Sequence, residues 1–158
     1  MNLSPQQVRA VLEVSEQTLR YWKKSYSALT GKRGYGPCYT FADVLLLLIT
    51  KHLVDGLGIE VGKLNAISEG LLEACRSSVN LLSGATHVIR IDVERMVVIT
   101  PSTDTGSFGK VVIEIALHEL AHDLQRRVVV GFGGGEVAQR ALPLGPGSLA
   151  APKKQGRG

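Results

Sequence analysis

Cysteine is nearly missing from this chain. The two present, Cys38 and Cys75, are too few and too far apart for a metal knuckle or a disulfide framework. As free thiols they suit a reducing cytoplasm, where cysteine packs as a small apolar side chain. No apolar run approaches the ~20 residues that span a bilayer. The strongly apolar stretch Val44–Ile49 stops at Thr50, Lys51 and His52. The opening MNLSPQQV has no apolar centre of the kind a signal peptide carries. A soluble cytoplasmic protein with no membrane partner is the expectation. Acid is also scarce, and unevenly so. Between Ser15 and Arg33 five bases (Arg20, Lys23, Lys24, Lys32, Arg33) face the single acid Glu16, and from Arg126 onward Glu136 is the only acid. With a formal net charge of +4, the chain suits a polyanionic partner.

The order of elements predicts an α+β fold. Ser4 followed by Pro5 caps a short helix with apolar Val8, Val11 and Leu12. Val14 and Ser15 interrupt it, and Ser15 caps a second helix over about Glu16–Lys24, with Leu19 and Trp22 on one side and the bases on the other. Glycines at 31, 34 and 36 and Pro37 mark a loop leading into a short hairpin, a wing. Thr40 with Asp43 forms an [ST]-x-x-[DE] capping box for a central apolar helix over about Phe41–Val54. A further amphipathic helix is expected from Glu60 to about Leu82, kinked at Gly70. After Ser83-Gly84 the pattern becomes β-like. Ile89, Ile91 and Val93 alternate with Arg90, Asp92 and Glu94, and Met96–Ile99 is a second strand. Strand and helix signals compete over Val111–Val130. The expected division is 1–82 for the helical domain and 84–130 for a small strand-helix domain suited to self-association. Residues 131–158 read as a basic Gly/Pro-rich tail without fixed structure.

A helix, a tight turn and a second helix with basic, amide-bearing outward residues are the parts of a major-groove reader. Gln17 and Arg20 have the paired donors that base edges accept. Thr18, Lys23 and Lys24 suit phosphates, Ser15 and Tyr21 belong to the same DNA-binding set, and Lys32, Arg33 and Tyr35 on the wing would follow the backbone or the minor groove. The run Val14-Ser15-Glu16-Gln17-Thr18-Leu19-Arg20-Tyr21-Trp22 resembles the signature of the MerR family. Gly36, Tyr39, Thr40, Asp43 and Val44 resemble the end of that family's wing and its third helix, and Gly58-Ile59-Glu60-Val61 the entry to its fourth. The resemblance covers about residues 3–65 and departs at Glu13, where a turn glycine is usual. It implies a winged helix-turn-helix that binds double-stranded DNA; a homodimer is expected on separate grounds, since one such helix reads only a few base pairs. Domains of this shape also serve as excisionases, packaging subunits and chromosome-anchoring factors.

A second signal is His118-Glu119-Leu120-Ala121-His122. On a helix, HExxH sets His118 and His122 one turn apart to share a zinc ion, with Glu119 as general base toward a zinc-bound water. With the preceding Met96–Pro101 segment it resembles the zincin-like peptidases that accompany some helix-turn-helix domains. A catalytic zinc needs a third protein ligand. His87 lies upstream and Glu136 sits among glycines. The i,i+4 spacings Glu114/His118, His122/Arg126 and Asp123/Arg127 favour a solvated helix face instead. The reading adopted is a DNA-binding regulator without a cofactor. The alternatives are a zinc peptidase fused to a helix-turn-helix and a phage or plasmid structural factor.

Overall fold

The computed structural model describes residues 2–32, 36–79, 88–100 and 109–141. Mixed helix and strand are arranged as α+β. Strand β1 (Asn2–Leu3) leads into α1 (Pro5–Leu12), α2 (Glu16–Ser25) and a 3-10 turn at Ser27–Leu29. Strand β2 (Tyr39–Thr40) leads into α3 (Phe41–Lys51), a π-helical turn (His52–Gly56), α4 (Val61–Asn65) and α5 (Ser68–Val79). Three strands, β3 (Val88–Asp92), β4 (Val97–Ile99) and β5 (Val112–Ala116), precede the long α6 (Leu117–Ala141).

Helix α3 organises the molecule. Every residue from Ala42 to Thr50 is buried, so no face is left for water and neighbours must surround it. Helices α1, α5 and α6 pack on it. Two polar groups go inside with it and both are satisfied. Asp43 closes the capping box with Thr40, and the Thr50 hydroxyl donates to the Leu46 carbonyl at 2.9 Å and meets the Tyr26 hydroxyl at 2.8 Å. Burial pushes the Tyr26 phenol up to about 12, and burial likewise raises the Cys75 thiol to about 12, leaving it inert.

The caps form as the sequence indicates: Ser4 with Gln7, Ser15 with the Thr18 amide, Thr40 with Asp43. Other boundaries differ. The helical course begun at Phe41 changes to a π turn after Lys51, and the expected kink at Gly70 falls instead at Ala66–Ile67 between α4 and α5. The proposed end at Leu82 lies outside the described residues. No wing hairpin is found among the described residues. Tyr39–Thr40 pairs antiparallel with Asn2–Leu3, a register that buries Leu3 and Tyr39 together.

The second sheet has the order β4-β3-β5, antiparallel throughout. Ile89, Ile91 and Ile115 are buried toward the helices. Asp92, expected on the polar face, is buried because backbone N–H groups of Glu94, Arg95 and Gly109 all donate to it. The Arg95 amide is the main reason its carboxyl is held below the usual range. A Cβ on Gly109 would come within 2.6 Å of the carboxylate, so glycine is required there. The strand-helix competition resolves at Ala116/Leu117. Glu114 therefore sits on β5 and pairs with Arg90, and Asp123 pairs with Arg126, so neither joins the i,i+4 series expected of a helix face.

Leu117, Ala121, Leu124 and Val128 seat α6 in the same buried cluster as α1 and α3, and Phe132 packs against it. That anchoring carries the helix beyond Gly131, where the sequence expected the tail to begin; residues 142–158 lie outside the described residues. Its side is fixed to α1 through the Arg127 guanidinium, 3.5 Å from the Val11 carbonyl.

The turn between α1 and α2 is held from beneath. Lys51 Nζ donates to the Leu12 carbonyl at 2.7 Å, and Glu13 takes a left-handed conformation with φ 54°. A non-glycine residue there carries a strain of roughly 1 kcal/mol, and Glu13 is exposed with no contact that requires its side chain. Glu13→Gly should leave stability equal or raise it by up to about 1 kcal/mol, read by urea unfolding. A clear loss would show that the Glu13 carboxylate itself holds the turn.

Candidate nucleic-acid interface

Helix α2 turns two unlike faces outward and inward. Leu19 and Trp22 are buried, and the helix contacts α4 and the 3-10 turn behind it. Glu16, Gln17, Arg20, Tyr21 and Lys24 are exposed and fall within one side of the helix at 100° per residue. Thr18 and Lys23 are half-buried at its margins. Tyr21 is 56% exposed.

The hydroxyls at the helix start are already engaged. Ser15 Oγ accepts from the Thr18 amide at 3.0 Å and lies 2.8 Å from Thr18 Oγ1. They cap the helix, and the four N-terminal N–H groups add a partial positive charge to this end. Ser15, Gln17, Thr18 and Tyr21 line a shallow hollow on this surface.

A second groove, of about 280 Å³, lies between α1 and α2. Ser4, Gln6 and Arg9 line it from α1, and Glu16, Arg20 and Lys23 from α2. Arg9 and Gln6 were not among the expected site residues. The available signal was a lone base on the polar side of α1, which becomes meaningful only when the turn folds α1 against α2.

Lys32 is placed differently from the expectation of a phosphate contact. Its ammonium lies 2.7 Å from Asp43 Oδ2, an atom that also accepts from the Thr40 amide at 2.7 Å and the Thr40 hydroxyl at 2.8 Å. The Asp43 side chain is 2% exposed, so Lys32 neutralises a buried carboxylate at the start of α3. Arg33 and Tyr35 lie outside the described residues.

The HELAH residues begin α6. His118 is half-buried with Nε2 4.0 Å from Glu119 Oε1, and Glu119 and His122 are exposed. Among the described residues no group of three or more His, Cys, Asp or Glu side chains is arranged to hold a metal ion. His87 lies outside them, and Glu136 falls on the later turns of α6.

Two short helices joined by a tight turn, with the second exposing a basic face, define a helix-turn-helix DNA-binding fold. Residues 3–71 match the MerR HTH family of regulatory proteins, so the N-terminal part of this chain is a MerR-like helix-turn-helix DNA-binding domain. The match extends past the expected limit near residue 65 into α5. No curated protein and no solved structure matches the chain. Among the described residues no helix is long and apolar enough to cross a membrane.

The Lys32–Asp43 contact separates two roles by experiment. Lys32→Met should lower stability by roughly 1–3 kcal/mol, since the buried carboxylate loses its counter-charge. The salt slope of DNA binding should stay as in the parent protein. An unchanged melting curve with a shallower salt slope would instead mark Lys32 as a phosphate contact.

Proposed function

We propose that this protein is a sequence-specific regulator of MerR type that inserts α2 into the major groove of double-stranded DNA. The observation that carries the reading is the exposed, basic, amide-bearing face of α2 on a domain matching that family. In this reading Arg20 and Gln17 meet base edges, since both offer paired hydrogen bonds. Tyr21, Lys23 and Lys24 lie on phosphates, with the capped N-terminus of α2 at Ser15 and Thr18 against the backbone. Arg33 and Tyr35 extend the footprint along the backbone.

One helix reads only a few base pairs, so the protein acts as a homodimer on two half-sites. Exposure of Val129 and Val130 on α6, at 59% and 85%, supports the strand-helix segment as the place where chains meet. The work is done in the cytoplasm, on the chromosome.

A duplex selected from a random library by the protein tests this. Arg20→Ala should cost roughly 1–3 kcal/mol on the selected duplex and much less on a random one. Sedimentation of the same complex should give two chains per duplex. Equal losses on both duplexes would reduce Arg20 to a phosphate contact, and one chain per duplex would remove the dimer.

A further inference from the structure

The groove between α1 and α2 contains a charge arrangement that DNA contact alone does not explain. Between Ser15 and Arg33 Glu16 is the only acid in the sequence, and its carboxylate is divided between two arginines. Oε1 lies 2.8 Å from Arg20 Nη2 one turn along α2, and Oε2 lies 3.5 Å from Arg9 Nη1 on α1. The three side chains differ in exposure: Arg9 33%, Glu16 62% and Arg20 78%. The series therefore runs from an inner anchor to an outer tip, with the carboxylate between.

A guanidinium has five N–H donors in a fixed plane. Glu16 takes one donor at Nη2 and leaves the rest of the fork open, on the most exposed group of the three. In the DNA-bound arrangement proposed above, an acid on this face would be repelled by the phosphates. Its other local benefit, a favourable charge at the first turn of α2, does not need a bridge to α1. What the bridge does add is a contact at one Nη of Arg20, from a carboxylate that also reaches Arg9 on α1.

We propose that Glu16, anchored by Arg9, is a positioning residue that holds Arg20 in the orientation for two-point reading of a guanine edge. This rests on the reading of Arg20 as a base contact given above. A long side chain already held in place loses less freedom on binding, so the right sequence gains relative to the wrong one. The negative charge weakens binding to every duplex alike. Together the two effects exchange general affinity for discrimination.

The test measures affinity on the selected duplex and on a random duplex of equal length, for Glu16→Gln, Arg9→Gln, Arg20→Ala and the Glu16→Gln/Arg20→Ala pair. Glutamine nearly matches glutamate in shape, and a melting curve verifies that each variant is folded. Glu16→Gln should tighten random binding about threefold at low salt, the effect of removing a charge roughly 7 Å from a phosphate in water. The selected-to-random ratio should fall about three- to tenfold, the worth of one ordered side chain. Arg9→Gln should reproduce part of that fall. In the Arg20→Ala background, Glu16→Gln should cause no further fall. Equal tightening on both duplexes, with the ratio kept, would show that Glu16 acts only as a distant charge and overturn the proposal. A fall of the same size in the Arg20→Ala background would overturn it too, by showing that Glu16 meets the base itself. If Arg20→Ala alone leaves the ratio intact, the base-reading role of Arg20 fails and takes this inference with it.

Discussion

The complete burial of α3 is the constraint on which the remaining architecture depends. A helix with nine consecutive buried residues has no amphipathic solution, so it must be wrapped. The first half supplies α1 and α5, and the second half supplies α6. One continuous apolar cluster consequently runs from Leu3 to Val128 across both halves. Truncating a leucine in such a place typically costs about 2–5 kcal/mol, more than any surface ion pair described above contributes. The polar groups that α3 carries inward, Asp43 and Thr50, then act as fixed points. Asp43 gathers Lys32 and Thr40, and Thr50 takes the Tyr26 hydroxyl.

The position of α2 follows from these fixed points. Tyr26 ends α2 and is tied to Thr50, while Lys51 holds the carbonyl that ends α1. Ser27 accepts a further tether, its amide donating to the Asn65 side chain at 3.0 Å. Both ends of α2 are thereby fastened to the interior, and its exposed face is left as the variable part. Rigid support of this sort is what a reading helix needs, since a misplacement of its side chains loses paired hydrogen bonds to the bases.

Local chemistry was legible in the sequence and distant pairing was not. Ser4, Ser15 and Thr40 cap helices through bonds three residues long, so their roles follow from spacing. The Val44–Ile49 run marked a central helix because nothing in it tolerates water. By contrast, the pairing of Tyr39–Thr40 with Asn2–Leu3 joins two-residue strands across α1 and α2, and no periodicity records it. Alternation assigned Asp92 to the polar face, and three backbone amides reversed that. Lys32 and Arg9 show the same limit for the site. A base near a glycine-rich loop suggests a phosphate, and only the folded chain reveals that Asp43 already holds Lys32. Arg9 and Glu16 are seven residues apart on different helices, and meet because the turn at Glu13 brings α1 and α2 together.

Helix α6 touches α1 through Arg127 and the shared core, so the strand-helix segment packs directly on the helix-turn-helix domain. The central claim remains that α2 is the element in contact with DNA. Titrating a duplex selected by the protein into isotope-labelled protein, and following backbone amide signals by NMR, tests that directly. The account predicts the largest shifts at Gln17, Arg20, Tyr21 and Lys24, smaller ones along the α1 side of the groove, and none at Val88–Asp92 or Val112–Ala116. Shifts centred on the three-stranded sheet or on the first turns of α6, with α2 unmoved, would contradict it.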